Sequence, residues 1–162
     1  MTTVFHRFIL VILFTVSLVF TGCTTLNTAS KHSEQWQLRA EQGDKAAQYE
    51  LAKSYCCGFG LRRNTRKSLY WHCRAAIQGH VLAQYELGNI LSNFFNDPNR
   101  NTALGTADYI SAYMWYTVAL INGHQDALDA REKIAAQMPN EDVLRAKRWA
   151  TKWKQIHCNN FR

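Results

Sequence analysis

The chain has 162 residues, with 19 lysines and arginines against 12 aspartates and glutamates, and a net charge of +7 at pH 7. That length supplies one compact domain and leaves no room for several. The basic balance admits anionic partners such as acidic proteins, lipid headgroups or cell-wall polymers, and it reads equally as solvated helix faces.

In chain order, Phe8 to Phe20 comes first, an apolar run interrupted only by Thr15 and Ser17. These thirteen residues fall short of the roughly 20 that a transmembrane helix needs and match the apolar region of a secretory signal. Phe20-Thr21-Gly22-Cys23 follows and resembles a bacterial lipobox, in which small residues precede the cysteine that becomes the mature first residue and carries a diacylglyceryl thioether. The resemblance implies a signal peptide over residues 1–22, lipidation of Cys23 and attachment to a membrane through that lipid. Thr24 stands where an inner-membrane retention signal would have aspartate, so the expectation is a cell-envelope protein on the outer membrane in preference to the inner, facing the periplasm. An exported location disfavours nucleic acid as a partner. Residues 23–33 are polar and without apolar periodicity, as a tether would be.

Beyond the tether, Ser33 to Gln42 with Trp36 reads as the trailing helix of an incomplete unit. Residues 47–51 then read Ala-Gln-Tyr-Glu-Leu, and residues 83–87 repeat it 36 positions later, with Ala40 and Gly43 recurring as Ala76 and Gly79. A period in the mid-thirties marks a stack of helical hairpins. In the first full copy Ala47, Leu51 and Tyr55 share one helix face, and Gly58-Phe59-Gly60 provides a turn. Thr65 is the expected cap of a second helix carrying Leu69, Trp71, Ala75 and Ala76 up to Gly79. A third, partial copy runs through Ser111, Tyr113, Trp115, Ala119, Gly123, His124 and Ala127 at an offset of 44. The extra eight residues fall between Phe94 and Thr106, in a loop-like stretch rich in Asn, Asp, Pro, Thr and Gly. Met138-Pro139-Asn140 breaks the pattern, and Val143, Ala146, Ala150 and Trp153 form the stripe of a terminal capping helix.

These residues carry a family resemblance. Ala-x-x-Gly, three residues, Ala-x-x-x-Leu-Gly/Ala, then Tyr-x-x-Gly-x-Gly and a later Ala-Ala-x-x-Gly resemble the Sel-one-like repeat, a relative of the tetratricopeptide repeat, over roughly residues 36–150. The second copy departs from it, with Leu91-Ser92-Asn93-Phe94-Phe95-Asn96 in place of the glycine turn, and Arg62-Arg63-Asn64 stands where the family often has a lysine–aspartate pair. The fold expected is all-α, a short α-solenoid of antiparallel helix–turn–helix repeats spanning residues 34–157. The family's cysteine-rich members place cysteines near the Ala76 and Ala83 positions, and this chain has none there.

Four cysteines lie beyond Cys23: Cys56, Cys57, Cys73 and Cys158. An even number in an oxidising compartment is compatible with two disulfides or with free thiols. Cys56 or Cys57 could pair with Cys73 across the hairpin, but antiparallel packing separates them by roughly 12 Å along the helix axis. Cys158 is open to Cys73. His80 and His124 both follow an inter-repeat glycine, which makes them a repeat position and not a ligand pair, and Trp71-His72-Cys73 points a thiol and an imidazole about 100° apart on a helix. No motif for a catalytic site, cofactor or metal is present. The chain therefore reads as a non-enzymatic scaffold that binds a protein or peptide through its leading helices, with Tyr49, Lys53, Tyr85 and Asn89 as candidate contacts. Two further readings are a hydrolase or small-ligand binder acting on cell-wall or β-lactam-like compounds, as the family resemblance allows, and a structural or host-facing envelope protein.

Overall fold

A computed structural model describes residues 33–58, 60–92 and 108–161. The signal segment, Cys23, most of the tether, Phe59 and the 94–106 insertion lie outside the described residues. Among the described residues every regular element is helical: α1 (33–41), α2 (Lys45–Cys57), α3 (Thr65–Ile77), α4 (Val81–Ser92), α5 (Tyr109–Ile121), α6 (Ala127–Ala135) and α7 (Asn140–Ala150), followed by two short 3-10 turns, Trp153–Gln155 and Cys158–Phe161. Successive helices pack on one another, α2 with α3, α3 with α4, α4 with α5 and α5 with α6, while α7 returns onto α5. This is the expected α-solenoid.

The boundaries follow from local chemistry. Asp44 caps α2, its Oδ1 accepting from the backbone N–H groups of Ala46 and Ala47 at 2.9 and 3.1 Å. The second helix of this hairpin begins one residue earlier than expected, because Asn64 and not Thr65 is the cap, its Oδ1 accepting from Lys67 N–H at 3.0 Å. Helix α3 is followed, after its cap Gln78, by Gly79, whose φ of +81° is open to glycine at no steric cost. There Gly79 N–H donates to Ala76 O at 2.9 Å and His80 N–H to Ala75 O at 3.1 Å, the two bonds of a Schellman cap. The same bonds close α1 (Gly43 to Ala40, Asp44 to Arg39) and α5 (Gly123 to Leu120, His124 to Ala119). One turn chemistry thus sets the angle between each unit and the next.

The core divides by layer. Ala40, Ala47, Leu51, Ala52, Tyr55 and Trp71 form one buried cluster, with Trp36 packed against it. Leu69, Cys73, Leu87 and the inner residues of α5 form the other. Helix α3 serves both and is correspondingly buried on two sides. Helix α5 is buried most completely, with Ala112 through Tyr116 all closed to solvent, as expected of a helix apolar around its circumference. Ala146 and Ala150 of α7 are buried, and Val143 and Trp153 pack against the same cluster. The helix stops at Ala150, so Trp153 reaches the core from the following turn.

From there the chain folds back to α3. Cys158 is bonded to Cys73, with Cα atoms 5.7 Å apart and a sequence separation of 85. Cys56 and Cys57 are thiols. The cross-hairpin pairing of either with Cys73 is absent, in keeping with the axial offset between the two helices.

Candidate functional site

The pentapeptide repeated in α2 and α4 assigns a separate task to each residue. Ala47 and Ala83 are fully buried where helices approach closely, and Leu51 and Leu87 fill the core. Gln48 and Gln84 are also fully buried. Gln48 Nε2 donates to Ala40 O and Gln84 Nε2 to Ala76 O, each at 3.0 Å, so each amide reaches the last turn of the preceding helix. Their carbonyl oxygens accept from the end of the second helix of their own hairpin, Gln48 from Gln78 Nε2 at 2.7 Å and Gln84 from Asn122 Nδ2 at 3.0 Å. These buried amides link layer to layer, and their partners satisfy them where water cannot.

The tyrosines lie flat against the histidines that follow each inter-repeat glycine. Tyr49 stacks on His80 with centroids 4.5 Å apart, and Tyr85 on His124 at 4.2 Å. His80 Nδ1 also accepts from Ala83 N–H at 3.3 Å and so caps α4. Burial holds the His80 imidazole below its ordinary pKa, with the charge of Lys45 acting in the same direction. His72 meets Tyr49 edge-on at 5.7 Å and is buried between α2 and α3, its Nδ1 3.0 Å from Ser68 O. Burial drops its pKa to about 4. Its neighbour Cys73 is tied into the disulfide, so no thiol–imidazole pair exists there.

The glutamates of the motif are half-buried. Lys53 is bound to Glu50, Nζ to Oε2 at 3.1 Å, and lies over the Tyr49 ring at 5.2 Å. Burial would lower the Lys53 ammonium, but the hydrogen bond and charge of Glu50 outweigh it and hold the pKa above its ordinary value. At the equivalent place in α4, Asn89 donates to Glu86 at 3.4 Å and accepts the Tyr116 hydroxyl at 2.9 Å. Burial raises the pKa values of Tyr49 and Cys56 on α2, and the charge of Glu86 on α4 adds to it. Tyr49, Lys53, Tyr85 and Asn89 are each half-buried and each held by a partner within the frame: Lys53 lies over Tyr49 on α2, while Tyr85 and Asn89 of α4 both meet Tyr116. The buried glutamines and the histidine platforms were not recognised as working residues from the sequence alone, although their recurrence within the repeat was the available signal.

Among the described residues no group of three or more His, Cys, Asp or Glu side chains is placed to hold a metal ion, and no helix is long and apolar enough to cross a membrane.

The Sel1 repeat family matches residues 45–80 and 81–124. The two matches meet at the Gly79-His80 turn and differ in length by the insertion. No curated protein matches the sequence significantly. Among solved structures, the chain is similar to a protective antigen present in uropathogenic Escherichia coli strains displaying an SLR fold, with a TM-score of 0.68 and 22% identity. The similarity covers 82% of this chain and 27% of that protein, so this chain spans about a quarter of its relative's length. Sel1 repeats generally mediate protein–protein interaction and generally act as non-enzymatic scaffolds. With two such repeats, three copies of the same glycine cap and the solenoid packing, this chain is a Sel1-like repeat protein.

Proposed function

We propose that this chain is a lipid-anchored scaffold of the bacterial cell envelope that binds a protein or peptide partner on the row formed by α2 and α4. The observation that carries the reading is the repeated stack of Tyr49 on His80 and Tyr85 on His124. It presents the Lys53–Glu50 pair and the Asn89–Glu86 pair at the same height on a rigid aromatic base, one repeat apart. A partner meeting such a surface loses little to ordering it, since the side chains are already held. The alternating donors and carboxylates suit an extended peptide more than an apolar helix, because the row offers hydrogen bonds and charge with little open apolar area.

A photo-crosslinking residue at Lys53 or Asn89, compared with one at Lys147 on the outward side of α7, tests the surface in intact envelopes. Adducts are expected from the first two positions only, and equal labelling from all three would refute the assignment. The anchor is tested separately by mass spectrometry of Cys23, where a diacylglyceryl thioether is expected. Full release of the wild-type protein by osmotic shock would refute it.

A further inference from the structure

The sequence carries no carboxylate between Glu50 and Glu86, while Lys53, Arg62, Arg63, Arg66, Lys67 and Arg74 all fall in that interval. Arg62, Arg63, Arg66 and Lys67 are exposed together where α2 turns into α3. The turn is held against the end of α2, with Asn64 N–H donating to Tyr55 O at 2.9 Å and Lys67 Nζ over the Tyr55 ring at 5.1 Å. Among the described residues no carboxylate is ion-paired with Arg62, Arg66 or Lys67.

The chain enters the domain at the same end. Gln48, in the first turn of α2, reaches Ala40 near the end of α1, and Trp36, in the first turn of α1, packs against the cluster that holds Tyr55. The two helices therefore run antiparallel, and Ser33 starts α1 beside the 62–67 turn. Helix α2 is about 19 Å long and α1 about 13 Å, so the turn projects about 6 Å beyond Ser33. Glu34 is the carboxylate at this end of α1. Farther along the same edge stand Asp108 at the start of α5 and Glu141 and Asp142 at the start of α7. The edge is thus positive beside the entry point and negative at its far end.

We infer that the 62–67 turn is a binding surface for anionic phospholipid headgroups, and that it fixes which end of the solenoid faces the bilayer. The inference rests on the lipid anchor proposed at Cys23. From Cys23 to Ser33 is ten residues, which extend no farther than roughly 35 Å, so an anchored chain keeps this end of the domain over the membrane. An anionic leaflet attracts exposed lysine and arginine within a Debye length of about 8 Å, and it repels the carboxylates at the far end of the edge. A lipid and a basic patch side by side give two attachments, and two attachments set an orientation where one does not. The bilayer is favoured over a soluble acidic partner because it is the anionic surface that the anchor itself brings within reach of the turn.

The test uses the protein extracted from its own membranes and returned to vesicles, either of phosphatidylglycerol mixed with phosphatidylcholine or of phosphatidylcholine alone. Phenylglyoxal, an uncharged arginine reagent, reports exposure peptide by peptide and requires no variant. Arg62 and Arg66 are expected to react at least about fivefold more slowly on the anionic vesicles, roughly the worth of one basic residue at such a surface. Sodium chloride at about 0.5 M should restore their reactivity, and Arg148, exposed on α7, should react equally on both. Equal reactivity of Arg62 and Arg66 on the two vesicles would overturn the surface, as would equal protection of Arg148. Protection by inorganic phosphate on the phosphatidylcholine vesicles would also overturn it, by making the turn a site for a free anion. The mass of the Cys23 peptide from the same sample separates the two readings. A lipidated Cys23 with unprotected arginines removes the headgroup surface alone, whereas an unmodified Cys23 removes the anchor and this inference with it.

Discussion

Gly88 is where the second hairpin is tightest. A Cβ built on it would stand 2.5 Å from both Cδ1 and Cε1 of Tyr116 and 2.9 Å from Cζ, against the roughly 3.5–4.0 Å of an ordinary carbon contact. In Gly88→Ala the ring must retreat by about 1 Å, and it is not free to do so. Tyr116 is 2% exposed, its hydroxyl lies 2.9 Å from Ser92 Oγ and donates to Asn89 at 2.9 Å, and Tyr85 stands alongside at 5.8 Å. Overpacking of this kind costs about 1–3 kcal/mol, and loss of the hydroxyl bond adds about 1 kcal/mol. The better helix propensity of alanine returns about 1 kcal/mol. A net destabilisation of about 1–3 kcal/mol is expected.

The first hairpin shows how the same site tolerates a methyl group. Ala52 occupies the place of Gly88, and His72 the place of Tyr116. Tyr116→His should therefore recover about half or more of the loss in the Gly88→Ala background while being destabilising on its own. Urea titration followed by far-UV circular dichroism would give the four corners of this cycle, provided the m-value stays constant. A neutral or stabilising Gly88→Ala, or strict additivity of the two changes, would refute the packing argument.

Three other outcomes can be checked with the same assay. Cys158→Ser releases a loop of 85 residues, and chain entropy gives a loss of about 4–5 kcal/mol as an upper value; no shift under reducing agent would contradict it. Gln84→Leu, which copies the Leu128 of the third unit, breaks the links to Ala76 and Asn122 and should cost about 1–2 kcal/mol. Acid should act through His72. Its pKa is lowered to about 4 in the fold against about 6.5 in the unfolded chain, so the unfolded state binds the proton first. Its contribution is present above pH 6.5 and is lost as pH falls toward 4, about 3 kcal/mol in all. The paired variant Ala52→Gly with His72→Tyr should have a shallower stability loss than wild type over that window, and parallel profiles would exclude His72 as the cause.

The repeat period and the glycine turns were readable in the sequence because they are local. A Schellman cap needs glycine at one place, and the spacing from Gly43 to Gly79 and on to Gly123 displays it. Helix α2 was readable for the same reason, through Ala47, Leu51 and Tyr55. What could not be read was any relation between residues distant along the chain. The Cys73–Cys158 bond depends on α7 turning back over α5 and the last residues reaching α3, a path that spacing alone does not specify. The cap of α3 moved by one residue because Asn64 and Thr65 are both competent, and the backbone angle at Asn64 decides between them. Gln48 and Gln84 carried no role in the sequence reading beyond their place in the repeated pentapeptide. Only the stacked arrangement puts the end of a preceding helix within their reach.

That arrangement also gives the Tyr-Glu pair a place in the repeat frame. An acid–base pair would need two carboxylates in different surroundings, one held neutral and one charged. Glu50 and Glu86 occupy the same place in successive repeats, one against Lys53 and the other against Asn89. The tyrosine beside each is stacked on the histidine that follows the next inter-repeat glycine. Where the third unit replaces glutamine with Leu128, the buried amide link ends, and closure of the frame passes to the apolar contact of α5 with α7 and to the disulfide. At α2 and α4 the layers are joined by both hydrogen bonds and stacked rings. The proposed partner surface rests on this recurrence, since among the described residues these stacked pairs are the groups that the repeat offers twice in register.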